Sequence, residues 1–108
     1  MIDILNEIKR LSEQYGEGFN WNTLSDGITY VNELQKETDI SEYTDIQAVA
    51  RSYSNDDVLF ILDNNTYRIY HLTYSSIRQN GYPKFVEFSD GMDVVSYIER
   101  QYIEECCQ

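Results

Sequence analysis

Three groups of residues in this chain are of types that could do chemistry: the single histidine, His71; the adjacent Cys106 and Cys107; and neighbouring acids such as Asp56/Asp57 and Glu104/Glu105. A histidine works as a general base when it meets a nucleophile at one ring nitrogen and an orienting group at the other. His71 alternates with Ile69 and Thr73 in a stretch of strand character, and the sequence points to neither partner. It reads as a satisfied sheet residue or an exposed cross-strand partner. Paired carboxylates catalyse only where their surroundings drive their pKa values apart. Asp56/Asp57 instead fall where a turn joins two strands, a position that favours aspartate for backbone reasons. A bridge between adjacent cysteines would close a strained ring and fasten no loop. With no C-x-x-C and one histidine, no zinc ligand set is legible, so the cysteines read as reduced thiols, with a redox or intermolecular disulfide as the alternative, and no metal or cofactor is expected.

The local signatures of phosphate-binding loops, dinucleotide folds and hydrolase nucleophile elbows do not occur. The Asp63-Asn64-Asn65 stretch lacks the spaced ligands, central glycine and terminal glutamate of a calcium loop. No catalytic residue is assigned, and a non-enzyme is expected. A small enzyme with a dispersed carboxylate site is a third reading, which would need a concave pocket with convergent polar groups around His71.

Charge and tyrosine point toward binding. Nineteen acids against eight Lys and Arg give a formal charge of −11, a field that repels phosphate backbones and anionic lipid. Direct nucleic-acid binding is therefore disfavoured. The chain holds 10 tyrosines, a residue interfaces favour for its rigid, amphipathic area, although Tyr15, Tyr67, Tyr70, Tyr74, Tyr97 and Tyr102 also suit core or strand positions. The acidic stretch Glu33, Glu37, Asp39, Glu42 and Asp45, offset only by Lys36 and interleaved with Ile40 and Tyr43, is the candidate partner surface. Its competing reading is an ordinary solvated face.

At 108 residues the chain is the size of one domain, taken as 1–108. Leu, Ile, Val and Phe make up 28 of those residues, enough for a folded core despite the charge. No apolar run is long enough to span a bilayer, and Met1-Ile2-Asp3-Ile4 begins with an acid where a secretion signal carries cations. A cytoplasmic location without membrane partners is expected.

Ile4, Leu5, Ile8, Leu11 and Tyr15 recur at spacings of three and four, an amphipathic helix that Gly16 should end and Gly18 keep from restarting. Phe19 and Trp21 follow in a loop-like stretch that seals the core edge. Ser25-Asp26-Gly27 and Ser89-Asp90-Gly91 each precede apolar residues at helical spacing. Both read as helix starts capped by serine and favoured by an acid at the positive end of the dipole. For the first, β-branched Ile28, Thr29 and Val31 leave a short strand as the alternative. Residues 46–54 read as a strand, with a helix as the alternative through Ala48-Val49-Ala50-Arg51. Asp57–Leu62 and Thr66–Tyr74 read as a hairpin about Asp63-Asn64-Asn65, since Asn and Asp tolerate the positive φ of tight turns. After a Gln79-Asn80-Gly81 turn, Tyr82–Phe88 makes the last strand, with Pro83 at its start. The expected fold is α+β: an antiparallel meander of about four strands, with two N-terminal helices and one C-terminal helix packed on one face.

Asp57–Leu62, the Asn-rich turn, Tyr67-Arg68-Ile69-Tyr70-His71-Leu72-Thr73-Tyr74 and Tyr82-Pro83-Lys84-Phe85-Val86-Glu87-Phe88 running into the closing helix resemble the small immunity proteins that bacteria encode beside polymorphic and contact-dependent toxins. The resemblance covers about half of the chain and rests on hairpin, Y-P-x-F strand and helix. It implies a cytoplasmic, non-catalytic protein that binds a cognate toxin domain and covers its active site or substrate groove. If the toxin is a nuclease with a basic groove, an acidic partner fits it, and neutralising Glu37, Asp39 and Glu42 should slow capture without unfolding the domain. The alternative is an acidic interaction or regulatory module unrelated to toxins. Oligomeric state is left open, with an exposed edge strand as a possible pairing site.

Overall fold

The computed structural model describes residues 3–16, 19–53, 56–75, 77–78 and 81–106. The readings placed on Gly18, on the Gln79-Asn80 turn and on the thiols of Cys106 and Cys107 lie outside the described residues and side chains. The element order is α1 (Ile4–Tyr15), β1 (Trp21–Thr23), α2 (Ile28–Glu37), β2 (Ile46–Ser52), β3 (Asp57–Leu62), β4 (Thr66–His71), β5 (Lys84–Phe88) and α3 (Gly91–Cys106). The five strands form one antiparallel sheet in the order β1-β2-β3-β4-β5, so the fold is the expected α+β meander.

α1 forms where the periodicity places it. Asp3 caps it by accepting from the backbone N–H of Leu5 and Asn6 at 3.2 and 3.3 Å, and Gly16 ends it at φ 79°. Ile4, Ile8 and Leu11 are buried, each contributing about 1.5–3 kcal/mol. The exposed Glu7–Arg10 pair contributes a few tenths of that, so packing holds the helix. The expected hairpin also forms between β3 and β4, with Leu62 opposite Thr66 and Asp63 and Asn64 at φ 52° and 62°.

Four expectations are corrected. The sheet has five strands because Trp21–Thr23, read as loop, pairs with β2 from Trp21↔Ser52 to Thr23↔Ala50; three residues are too few to show an alternation. The helices cover both faces. α1 and α3 pack on one with Trp21, Val49, Leu59 and Ile69, and α2 packs on the other with Ala48, Val58, Phe60, Leu62 and Tyr70. The unbroken apolar run of β3 is the signature of a strand buried on both sides. The serine caps are replaced by the aspartates: at α2, whose N-cap Gly27 has no side chain, Asp26 accepts from Ile28 N–H at 3.1 Å, and at α3 Asp90 accepts from Met92 N–H at 2.9 Å. Gly27 is required because a Cβ there would overlap the Ala48 carbonyl, at a β-bulge between Ala48 and Ala50. Finally, β4 stops at His71 and β5 begins at Lys84; Thr73 and Tyr74, the latter at φ 55°, leave the sheet to bond α2. Among the described residues no helix is long and apolar enough to cross a membrane.

Candidate functional site

The acids picked out by sequence divide into two environments. Glu33 and Glu37 lie on α2. Val31, Leu34 and Glu37 are the buried residues of that helix, and Glu37 is only 4 % exposed. Its Oε1 accepts from Thr73 N–H at 2.8 Å and from the Thr73 hydroxyl at 2.9 Å, and its Oε2 from Tyr74 N–H at 2.9 Å. Burial pushes the Glu37 carboxyl up, but donation from the Glu33 carboxyl, from both backbone N–H groups and from the Thr73 hydroxyl outweighs it and holds Glu37 below its usual 4.5. Glu33 moves the opposite way, raised by its hydrogen bond to Glu37 and then by burial. Glu37 is thus an internal strut and not a contact residue, and neutralising it to weaken a partner would loosen the fold. Beside it, Arg78 ties the same segment to α2, donating to the Lys36 and Gln35 carbonyls at 3.0 Å each.

Asp39, Glu42, Tyr43 and Asp45 lie together on the loop between α2 and β2, and that loop is fixed at several points. Ile40 is buried in the core. The Asp63 carboxylate, on the hairpin turn, accepts from Thr44 and Asp45 N–H at 2.9 and 2.8 Å, and Asp63 N–H returns to the Asp45 carbonyl at 2.8 Å. Tyr43 accepts from Arg68 Nη2 at 3.0 Å, and the guanidinium lies 5.2 Å from its ring. Arg68 also bonds Glu87 at 2.8 Å and Tyr70 at 2.7 Å and sits 4.4 Å from the Phe85 ring. The loop therefore displays Asp39 and Glu42 in solvent and Asp45 half-buried, beside a cavity of about 320 Å³ lined by Asp39, Tyr43 and Arg78 among others. Ser41 N–H at 3.0 Å is the main cause that holds Asp39 below the usual carboxylate range, so it is charged at neutral pH. Arg68 and Arg78, the nearby cations, are spent on internal partners.

The opposite face carries a second constellation. Asp57 and His71 are register partners, and His71 Nδ1 lies 2.9 Å from Asp57 Oδ1, with His71 56 % exposed and Asp57 15 %. A shallow cavity of about 330 Å³ beside them is lined by Ile69, Lys84, Val86 and Tyr97. Burial, then the Asp57 charge, raises the Tyr97 hydroxyl. Aspartate orients the ring as it would for a base, but the contact resolved for the ring is that of an exposed cross-strand partner, one of the roles expected for His71. Sequence reasoning could have paired these residues: from Leu62 opposite Thr66, counting outward along the hairpin reaches Asp57 opposite His71. The Asp63 clamp and the aromatic seat of Arg68 carried no sequence signal beyond turn chemistry and strand alternation. Among the described residues no cluster of His, Cys, Asp and Glu could hold a metal ion. Comparison with known proteins finds no family model, no curated protein and no solved structure that matches this chain.

Proposed function

We propose that this protein is a cytoplasmic immunity protein that binds a cognate bacterial toxin domain through the loop of Asp39, Glu42, Tyr43 and Asp45 and covers the toxin's active site or substrate groove. The observation that carries the reading is the display of these acids on a clamped loop, while Arg68 is engaged by Tyr43, Tyr70 and Glu87 and Arg78 by the Gln35 and Lys36 carbonyls. A preorganised acidic surface loses little freedom on docking, and a charge of −11 accelerates encounter with a cationic groove. The similarity of the β3–β5 segment and its closing helix to immunity proteins supports the choice of partner, and a nuclease is the toxin class that the charge fits best.

The test begins with the genes on either side of this one and uses whichever toxin domain they encode. Cells making that domain should grow when this chain is co-expressed. The triple variant Asp39→Asn, Glu42→Gln, Asp45→Asn should protect poorly while unfolding at the parent's urea midpoint. Full protection by the triple variant would place the contact elsewhere. No toxin gene in the neighbourhood, together with a stable cellular partner, would favour a regulatory module.

A further inference from the structure

β5 forms one edge of the sheet, and the direction of its unpaired backbone groups follows from the hydrogen-bond pattern. Leu72 N–H donates to the Asp56 carbonyl at 3.2 Å, so Leu72, Tyr70 and Arg68 turn their backbone groups toward β3. His71, Ile69 and Tyr67 turn theirs toward β5. Their register partners Lys84, Val86 and Phe88 therefore point inward, and the N–H and C=O groups of Phe85 and Glu87 point outward. No hydrogen-bond partner for them occurs among the described residues. Pro83 holds the next outward position and has no N–H, so pairing along this edge stops at Phe85. The other edge, β1, is three residues long and buries Trp21. β5 instead leaves Phe85 49 % and Val86 40 % exposed on opposite faces.

We propose that this edge pairs with a second copy of the same chain, antiparallel about a twofold axis at Val86, joining the two sheets into one. This register sets Phe85 opposite the second copy's Glu87 and Glu87 opposite its Phe85. Each pair exchanges both N–H···O bonds, so every outward group of the edge is satisfied. A shift by two residues in either direction loses that match. On the α1/α3 face Val86 meets its own copy at a close, non-hydrogen-bonded position. Lys84 lies opposite the second copy's Phe88 at each end of the interface. On the α2 face Phe85 packs on the stem of the second copy's Glu87, which Arg68 already neutralises. Lys84 and Arg68 stand on this edge beside Glu87, so the acidic chain brings cations to the contact. The Asp39–Asp45 loop takes no part in the pairing.

Each copy carries a charge of −11, so screening should strengthen this contact, the reverse of the salt effect on capture of a cationic toxin; failure of either reading is thus distinguishable. Sedimentation equilibrium over a concentration series, at about 0.15 M and about 1 M NaCl, shortens the screening length from about 8 Å to about 3 Å. The average mass should rise from 12.8 kDa toward twice that value, and further at high salt. In the same series, amide exchange at Phe85 and Glu87 should slow with concentration. Val86→Lys, at an exposed position, should remove both effects and leave the far-ultraviolet circular dichroism unchanged; the exchange measurement on the parent chain stands whether or not that variant folds. The proposal is overturned by a constant 12.8 kDa under all conditions, or by a dimer that a folded Val86→Lys variant retains. Protection of Phe85 and Glu87 that appears only when the toxin domain is added also overturns it, assigning the edge to a strand of that partner.

Discussion

Glu37 offers a quantitative test of how the fold supports the loop. Glu37→Ala strips the acceptor from Thr73 N–H and Tyr74 N–H, both only partly buried. A buried donor left unpaired costs about 1–3 kcal/mol; taking about 1.5 kcal/mol for each gives a loss of about 3 kcal/mol. With an m-value of about 1.5 kcal/mol per M urea, the midpoint should fall by about 2 M. Glu37→Gln keeps one acceptor oxygen and should lose about half as much. The pH dependence separates charge from shape. Glu37 is held below 4.5 in the fold, so its contribution is present above that value and disappears as pH falls through the lower, folded one. Glu33 is raised above 4.5, so its contribution is present below 4.5 and disappears as pH rises through the folded value. Urea midpoints followed from neutral pH down to about pH 3 should therefore show an acid-side loss from Glu37 that is flattened in Glu37→Gln. A Glu37→Ala midpoint equal to the parent's, or an undiminished acid-side loss in Glu37→Gln, would refute the internal-strut reading.

Arg68→Met should lower stability by about 1.5–3 kcal/mol, since it removes three contacts, to Tyr43, Phe85 and Glu87, of a kind that contributes about 0.5–1 kcal/mol each. Arg68→Lys should not restore it, because an ammonium cannot hold this planar, forked set of partners; full rescue by lysine in thermal denaturation would contradict that. Gly27→Ala should cost about 1–3 kcal/mol, read as a fall in melting temperature, because its methyl overlaps the Ala48 carbonyl. An unchanged melting temperature would mean that α2 does not sit this close to the bulge.

What the sequence made legible was whatever repeats locally. α1, α3 and the β3–β4 hairpin each carry several turns or pairs of one period, and each forms, the hairpin with a second strand shorter than the 66–74 expected. β1 has three residues and no period, and its pairing is fixed by β2, far along the chain. The side of the sheet that α2 takes was signalled by the continuous apolar run Val58–Leu62, which needs cover on both faces. Glu37 illustrates why the site was only half legible. Its charge suggested solvent, yet its spacing from Val31 and Leu34 places it on the buried stripe, and its acceptors are needed by backbone N–H groups thirty-six and thirty-seven residues later. Asp39, Glu42 and Asp45 were legible as a charged group, but the Asp63 and Arg68 contacts that fix their loop are tertiary and have no local signal.

On the proposed function, the loop of Asp39, Glu42 and Asp45 draws in a cationic toxin domain electrostatically. The most direct test is the association rate of this chain with the neighbouring toxin domain, followed by stopped-flow fluorescence across a salt titration. The rate should fall steeply as salt rises, with a smaller rate and a shallower slope for Asp39→Asn, Glu42→Gln, Asp45→Asn. A rate independent of salt, or a triple variant that associates as fast and as salt-dependently as the parent, would contradict it.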